Sequence, residues 1–172
     1  LSIMAPQLFA GYTVEDMTYS RAPVPTLWCV RSDGVLLGMT YVPEQQVYAW
    51  HRHTTPNGAV ESVTVVSEDL EDALYALVRR TISGRTVRYI ERLQTSYFAD
   101  QADAFFVDSG LTYSGLPATT ITGLQHLNGQ TVQILADGAE VSDQVVTNGT
   151  VTLTEAASVV HIGLGYASDL MT

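Results

Sequence analysis

The chain reads as an all-β protein, a blade-like antiparallel meander of propeller type followed by a small β-barrel or sandwich domain. Three observations carry that expectation. Short alternating or β-rich apolar runs recur at about ten-residue spacing. Tight-turn pairs separate many of them: Asp33-Gly34, Asn57-Gly58, Ser83-Gly84, Asn128-Gly129, Asp137-Gly138 and Asn148-Gly149. Helical periodicity is scarce and gives way to alternation wherever it starts.

The elements follow in chain order. "TLWCVRSDG" is β-rich and ends in the Asp33-Gly34 turn, and "VLLGMTYVPEQQ" is its return strand. "VYAWHRHT" comes next, closed by "TPNG". In "AVESVTVVSED", Val63 and Val65 point one way and Ser62 and Thr64 the other. "DALYALVRRTISG" and "RTVRYIERLQ" form a further hairpin around Ser83-Gly84. The stretch "SEDLEDALYALVRR" also has a helical reading, with Ser67 as N-cap and Leu70, Leu74 and Leu77 in step. The resumed aromatic-apolar alternation favours the strand. The aromatic-apolar strand, Gly turn and basic strand of residues 27–53 are echoed in 74–93, which suggests two related blade hairpins. A propeller takes at least about four blades.

Residues 94–117 read as a linker with a short helical turn. Beyond it, "ATTITGLQHLNG", "QTVQILADG", "DQVVTNG", "TVTLTEAAS" and "VVHIGLGYAS" are the strands of the second domain. The expected organisation is therefore 1–93 meander, 94–117 linker and 118–172 small barrel or sandwich.

Charge supports the division. The chain has no lysine, and its eight arginines all lie between Arg21 and Arg92. Asp100, Asp103, Asp108, Asp137, Glu140, Asp143, Glu155 and Asp169 follow with no base among them. A net charge of −10 argues against nucleic-acid binding, which needs Arg and Lys on phosphates. With 46% hydrophobic and 15% charged residues, 13 Gly and 6 Pro, the composition is that of a turn-rich globular protein. No apolar run approaches the ~20 residues of a membrane span, so no membrane partner is expected. The chain opens on Leu1, with neither a basic start nor an apolar signal region, and is expected to be a fragment of a longer polypeptide. The apolar "IMAPQLFAGY" is then expected to leave Ile3, Leu8, Phe9 and Tyr12 without a partner strand.

Candidate chemistry is thin. On a strand, His51 and His53 share one face and Trp50 and Arg52 the other, so the pair offers two metal ligands. A zinc site needs a third and usually a fourth. His126 and His161 stand alone in the acidic half, and strand-face imidazoles bonded to neighbours are the expected state of the pair. Cys29 permits no intramolecular disulfide and reads as a small buried hydrophobe. No GxSxG elbow, P-loop or GxGxxG occurs. Glu68, Asp69, Glu71 and Asp72 lack the spacing and glycine of a calcium loop and read as a solvated turn. The expectation is no catalytic residue, no cofactor and no metal, with His51 and His53 the nearest approach to a ligand set.

Two segments carry a resemblance. Residues 8–93, with "LWCVRSDG", "TY", "VYAWHRH", "VESV" and "GRTVRYIERL", resemble the later part of bacteriophage and prophage tail structural proteins of the tail-hub or nozzle (tubular tail) type. Residues 118–168, "ITGLQHLNGQTVQILADGAEV…VTNGTVTL…ASVVHIGLGY", are similar to the small β-domain that follows in those proteins. The resemblance implies a non-enzymatic virion protein whose copies form a homo-oligomeric ring around the DNA-passage channel, alongside other tail or connector proteins. It implies assembly in the host bacterial cytoplasm and no cofactor. Two other readings stand beside it. One is a ligand- or glycan-binding β-domain at a tail tip, using exposed Trp28, Trp50 or tyrosines. The other is a metal-dependent enzyme using His51 and His53.

Overall fold

The computed structural model describes residues 5–168. The chain is all-β, with three antiparallel sheets, none of them closed into a barrel. It divides into two compact units, residues 1–81 with 86–94, and 82–85 with 95–172.

In the first unit β1 (Val14–Ser20), β2 (Thr26–Arg31), β3 (Leu36–Val42) and β4 (Val47–His53) lie side by side in chain order. The second sheet is β5 (Gly58–Glu68), β6 (Glu71–Ile82) and β7 (Arg85–Arg92). Alternation sends Trp28, Val30 and Leu36 of the first sheet and Val60, Val63, Leu74, Ala76 and Val78 of the second into one core. Each such side chain contributes about 1.5–3 kcal/mol of transfer free energy when fully buried. Polar ties join the sheets as well. The Val60 N–H donates to Gly34 O at 2.9 Å, and the Asp16 carboxylate accepts from the Val63 N–H at 2.9 Å.

The two hairpins that looked like repeated blades therefore lie in different sheets, facing each other across one core. The acidic run is strand, not helix: Asp69 turns at φ 44° and β6 starts two residues later. A strand not foreseen, β1, pairs with β2 through Met17↔Cys29 and Tyr19↔Leu27. Its mixed acidic and apolar pattern is that of a half-exposed edge.

At the start of the chain Leu8, Phe9 and Tyr12 lie in no strand, as expected, but Phe9 and Tyr12 do have side-chain partners; Ile3 lies outside the described residues. Residues Pro6–Phe9 form one helical turn, α1, and the Phe9 ring meets Trp50 edge-on at 5.1 Å. The Arg31 guanidinium lies 3.8 Å from the centre of the Tyr12 ring. Across this face of the sheet Cys29, Leu37 and Met39 are buried.

The second unit is one sheet of order β10-β9-β11-β8, from β8 (Asp108–Ile121), β9 (Thr131–Ala136), β10 (Ala139–Val145) and β11 (Val151–Leu164). Its core is Ile121, Leu124, Leu127, Val132, Ile134, Val146, Val151, Leu153, Val160 and Ile162, with Leu111 and Tyr113 packed against it. The Asp137-Gly138 and Asn148-Gly149 pairs have positive φ at both residues, as two-residue hairpin turns require. Asn128 does not: it follows a short 3-10 turn at φ −56°.

The expected linker 94–117 needs correction, because residues 108–117 belong to β8. Two glycines and Pro117 disguise that strand in the sequence. All three lie on edge strand β8 where its register slips, Gly115 and Pro117 between Ser114 and Ala118 and Gly110 between Asp108 and Leu111, positions at which Gly and Pro are tolerated. The expected helical turn is present at Gln101–Asp103, capped by the Asp100 carboxylate on the Ala102 N–H at 2.9 Å. The two strands expected at 150–168 are a single β11.

Candidate functional site

β4 is an edge strand, hydrogen-bonded only to β3 within its sheet. Strand alternation puts His51 and His53 on the core side and Trp50 on the other, against Phe9. Register then aligns Trp28↔Gly38↔His51 in one row and Val30↔Leu36↔His53 in the next. Gly38 is what lets the first row form. A Cβ there would sit 2.1 Å from His51 Cε1, so the imidazole occupies the space a side chain would take.

Three rings meet at this point. Trp28 is 5.5 Å from His51, nearly perpendicular, and 5.6 Å from His53. The two imidazoles are 4.9 Å apart, with His51 Nδ1 to His53 Nε2 at 2.7 Å, so one ring donates to the other. Trp28 is itself held, its indole N–H donating to Ser20 Oγ at 3.1 Å. Burial pushes the His51 pKa below the ordinary imidazole range. Burial, and then the neighbouring His51, pushes His53 down to about 4. The outer side of His53 is open to solvent while its inner side rests on Trp28 and His51, so the cation loses water without gaining a counter-charge.

As a metal site the pair stops at two ligands. Among the described residues no group of three or more His, Cys, Asp and Glu is placed to hold an ion. One nitrogen of each ring is spent on the other. His126 and His161 belong to the second unit and have structural partners. His161 is buried between the Thr112 hydroxyl, 2.8 Å from Nδ1, and the Ala102 carbonyl, which accepts from Nε2–H at 2.9 Å. That pair of contacts fixes the ring orientation and pins the 3-10 turn to β11. His126 Nε2 donates to Ser109 O at 2.9 Å. Cys29 is buried, and burial raises its thiol pKa, the opposite of what a nucleophile needs.

Five of the eight arginines are also engaged in ion pairs within the chain. Arg31 grips Asp33 through two nitrogens and reaches Leu8 O at 2.7 Å. Arg80, 3% exposed, clasps Glu91 at 2.6 and 2.7 Å. Arg88 and Arg79 share Glu61, and Arg92 bridges Glu68 and Glu71. The acidic run does turn at exposed Asp69 and Leu70, but the carboxylates that flank the turn are bound within the protein. Glu68 and Glu71 hold Arg92, and the Asp72 carboxylate accepts from the Arg21 N–H at 2.7 Å and the Ser67 hydroxyl at 2.6 Å. The Tyr75 hydroxyl and then Arg92 hold the Glu68 pKa below the usual carboxylate range, and the Ser67 hydroxyl and the Arg21 N–H do the same for Asp72.

Trp28 is 7% exposed and cannot stack on a ligand, and Trp50 is engaged by Phe9. The most exposed aromatics among the described residues are Tyr97 at 64% and Phe106 at 55%, the latter edge-on to Phe98 at 5.6 Å. Sequence reasoning placed the two histidines on one face but missed Trp28 and Gly38 as their setting. The signal was available only as a register, since neither residue is near the pair along the chain. The chain matches no protein-family model and no curated protein.

Proposed function

We propose that this chain is a structural component of a bacteriophage or prophage tail that acts by assembly around the DNA-passage channel and performs no catalysis. The supporting observation is the use made of charge. In the first unit, Arg31, Arg79, Arg80, Arg88 and Arg92 serve as struts to Asp33, Glu61, Glu91, Glu68 and Glu71. Residues 93–172 carry acids alone. Such a surface repels phosphate and suits a wall past which DNA moves without sticking. The segments that resemble tail-hub and nozzle proteins supply the identity of the assembly. In this reading the meander β1–β4 is a blade-like element of a longer subunit, which forms a homo-oligomeric ring with tail or connector proteins as neighbours.

The test is immunogold labelling of phage particles from the source culture, using antibody raised to this chain. Gold confined to the tail end supports the proposal. Particles without label, with the antigen free in the lysate, overturn it. A second reading, a ligand-contacting module at a tail tip, draws on the exposed Tyr97, Phe98 and Phe106. Glycan-array binding that is lost on Phe106→Ala would favour it.

A further inference from the structure

We propose that the His51–His53–Trp28 cluster is a proton-operated latch, which holds the end of edge strand β4 on β3 while a single proton lies between the two rings and releases that end when both imidazoles are protonated.

The geometry requires the single proton. With Nδ1 of His51 and Nε2 of His53 at 2.7 Å, one nitrogen donates and the other accepts. A first added proton leaves that bond in place, with an imidazolium donating to a neutral ring, whereas protonation of both rings points two N–H groups at each other and places two cations in contact. The rings have little room to part within the cluster. His51 lies over Gly38 so closely that a Cβ there would be 2.1 Å away, and Trp28 closes the other side against both rings.

No counter-charge faces the pair among the described residues. From β2 the facing side chains are Trp28 and Val30, and from β3 they are Leu36 and Gly38. On the opposed sheet the buried side of β6 carries Arg80, bound to Glu91, and Tyr89 follows the same alternation as Glu91 in β7. Arg52 points to the other face of β4. Burial acts on both imidazoles and the neighbouring His51 acts in addition on His53, with no carboxylate among the causes.

The compliant element is therefore β4 itself. It is bonded on one side only, and the pairs Leu36↔His53, Leu37↔Arg52 and Gly38↔His51 are the last of its ladder. A proton reaches His53 from its open outer side without prior unfolding. Opening would bare the β3 edge, a row of unpaired backbone groups able to take up another strand.

The test is amide hydrogen exchange across the β3–β4 pairing between about pH 7.5 and pH 4, referenced to amides of the β2–β3 pairing. Emission of Trp28 is followed in parallel in a Trp50→Phe background, where it is the sole tryptophan. We expect the protection of residues 36–38 and 51–53 to fall at least tenfold relative to the reference on acidification, with a matching change in emission. In His53→Gln both changes disappear. Ring-nitrogen NMR of the unmutated chain gives a readout that needs no variant, and the two imidazoles should titrate in separate steps, as a coupled pair does. Constant relative protection, the same acid opening in His53→Gln, or two rings titrating together as independent histidines would each overturn the latch.

Discussion

At the scale of the residue, Gly38 and the histidine pair are where one atom decides the outcome. Gly38→Ala puts a methyl 2.1 Å from His51 Cε1, so the ring or the strand must shift. Overpacking of this kind costs about 1–3 kcal/mol, and chemical denaturation should show it. His51→Ala in the same chain should restore much of that loss, because it empties the space the methyl needs. The pH dependence follows from His53. Its unfolded imidazole titrates near 6.5 and its folded one at about 4. Between those values the unfolded chain binds more protons. Stability is thus complete above about 6.5 and falls as pH drops towards about 4. The denaturation midpoint should follow that slope, and His53→Gln should flatten it. An unchanged slope in the variant would place the acid sensitivity elsewhere.

At the scale of the element, turns carry more of the architecture than their hairpin role suggests. Asp137, at φ 46°, turns β9 into β10 and also accepts from the Ser158 and Val159 N–H groups of β11, the latter at 2.7 Å. Its own N–H donates to Val159 O at 2.8 Å. This clasp ties down "TEAASVV", which continues as one strand where the sequence reading places the junction of two. Asp137→Ala removes the carboxylate acceptor and should cost about 1–2 kcal/mol, whereas Asp137→Asn keeps one acceptor oxygen and a residue suited to positive φ. Equal stability of both variants and the parent would show the clasp to be idle. The hidden start of β8 has a related cause. Its Gly and Pro signals are those of a loop, and pairing with β11 overrides them.

At the scale of the whole molecule, each unit owns its core. Every buried residue of the second cluster lies between Ile121 and Leu164, and its partly buried companions begin at Leu111. Residues 95–172 expressed alone should therefore fold, with the sheet spectrum and cooperative thermal transition of a small domain. A fragment that stays unfolded would show that its sheet depends on the first 94 residues. Limited proteolysis of the full chain gives an orthogonal check. Cleavage should begin within 95–107, where the backbone has one 3-10 turn and no strand, and cleavage first inside 120–166 would contradict it.

The sequence alone determined the all-β class, most strand positions, the turn pairs and the shared face of His51 and His53. It also determined the segregation of arginine from the last 80 or so residues. These are local properties, set by two-residue alternation and by the few residues that accept positive φ. Only the tertiary structure decided that the two similar hairpins oppose each other, that β1 and the start of β8 are strands, and that Trp28 and Gly38 form the seat of the histidine pair. Those outcomes depend on which strand lies next to which and in what register. A one-residue slip would send every side chain of β4 to the other face, and nothing near His51 along the chain records the choice.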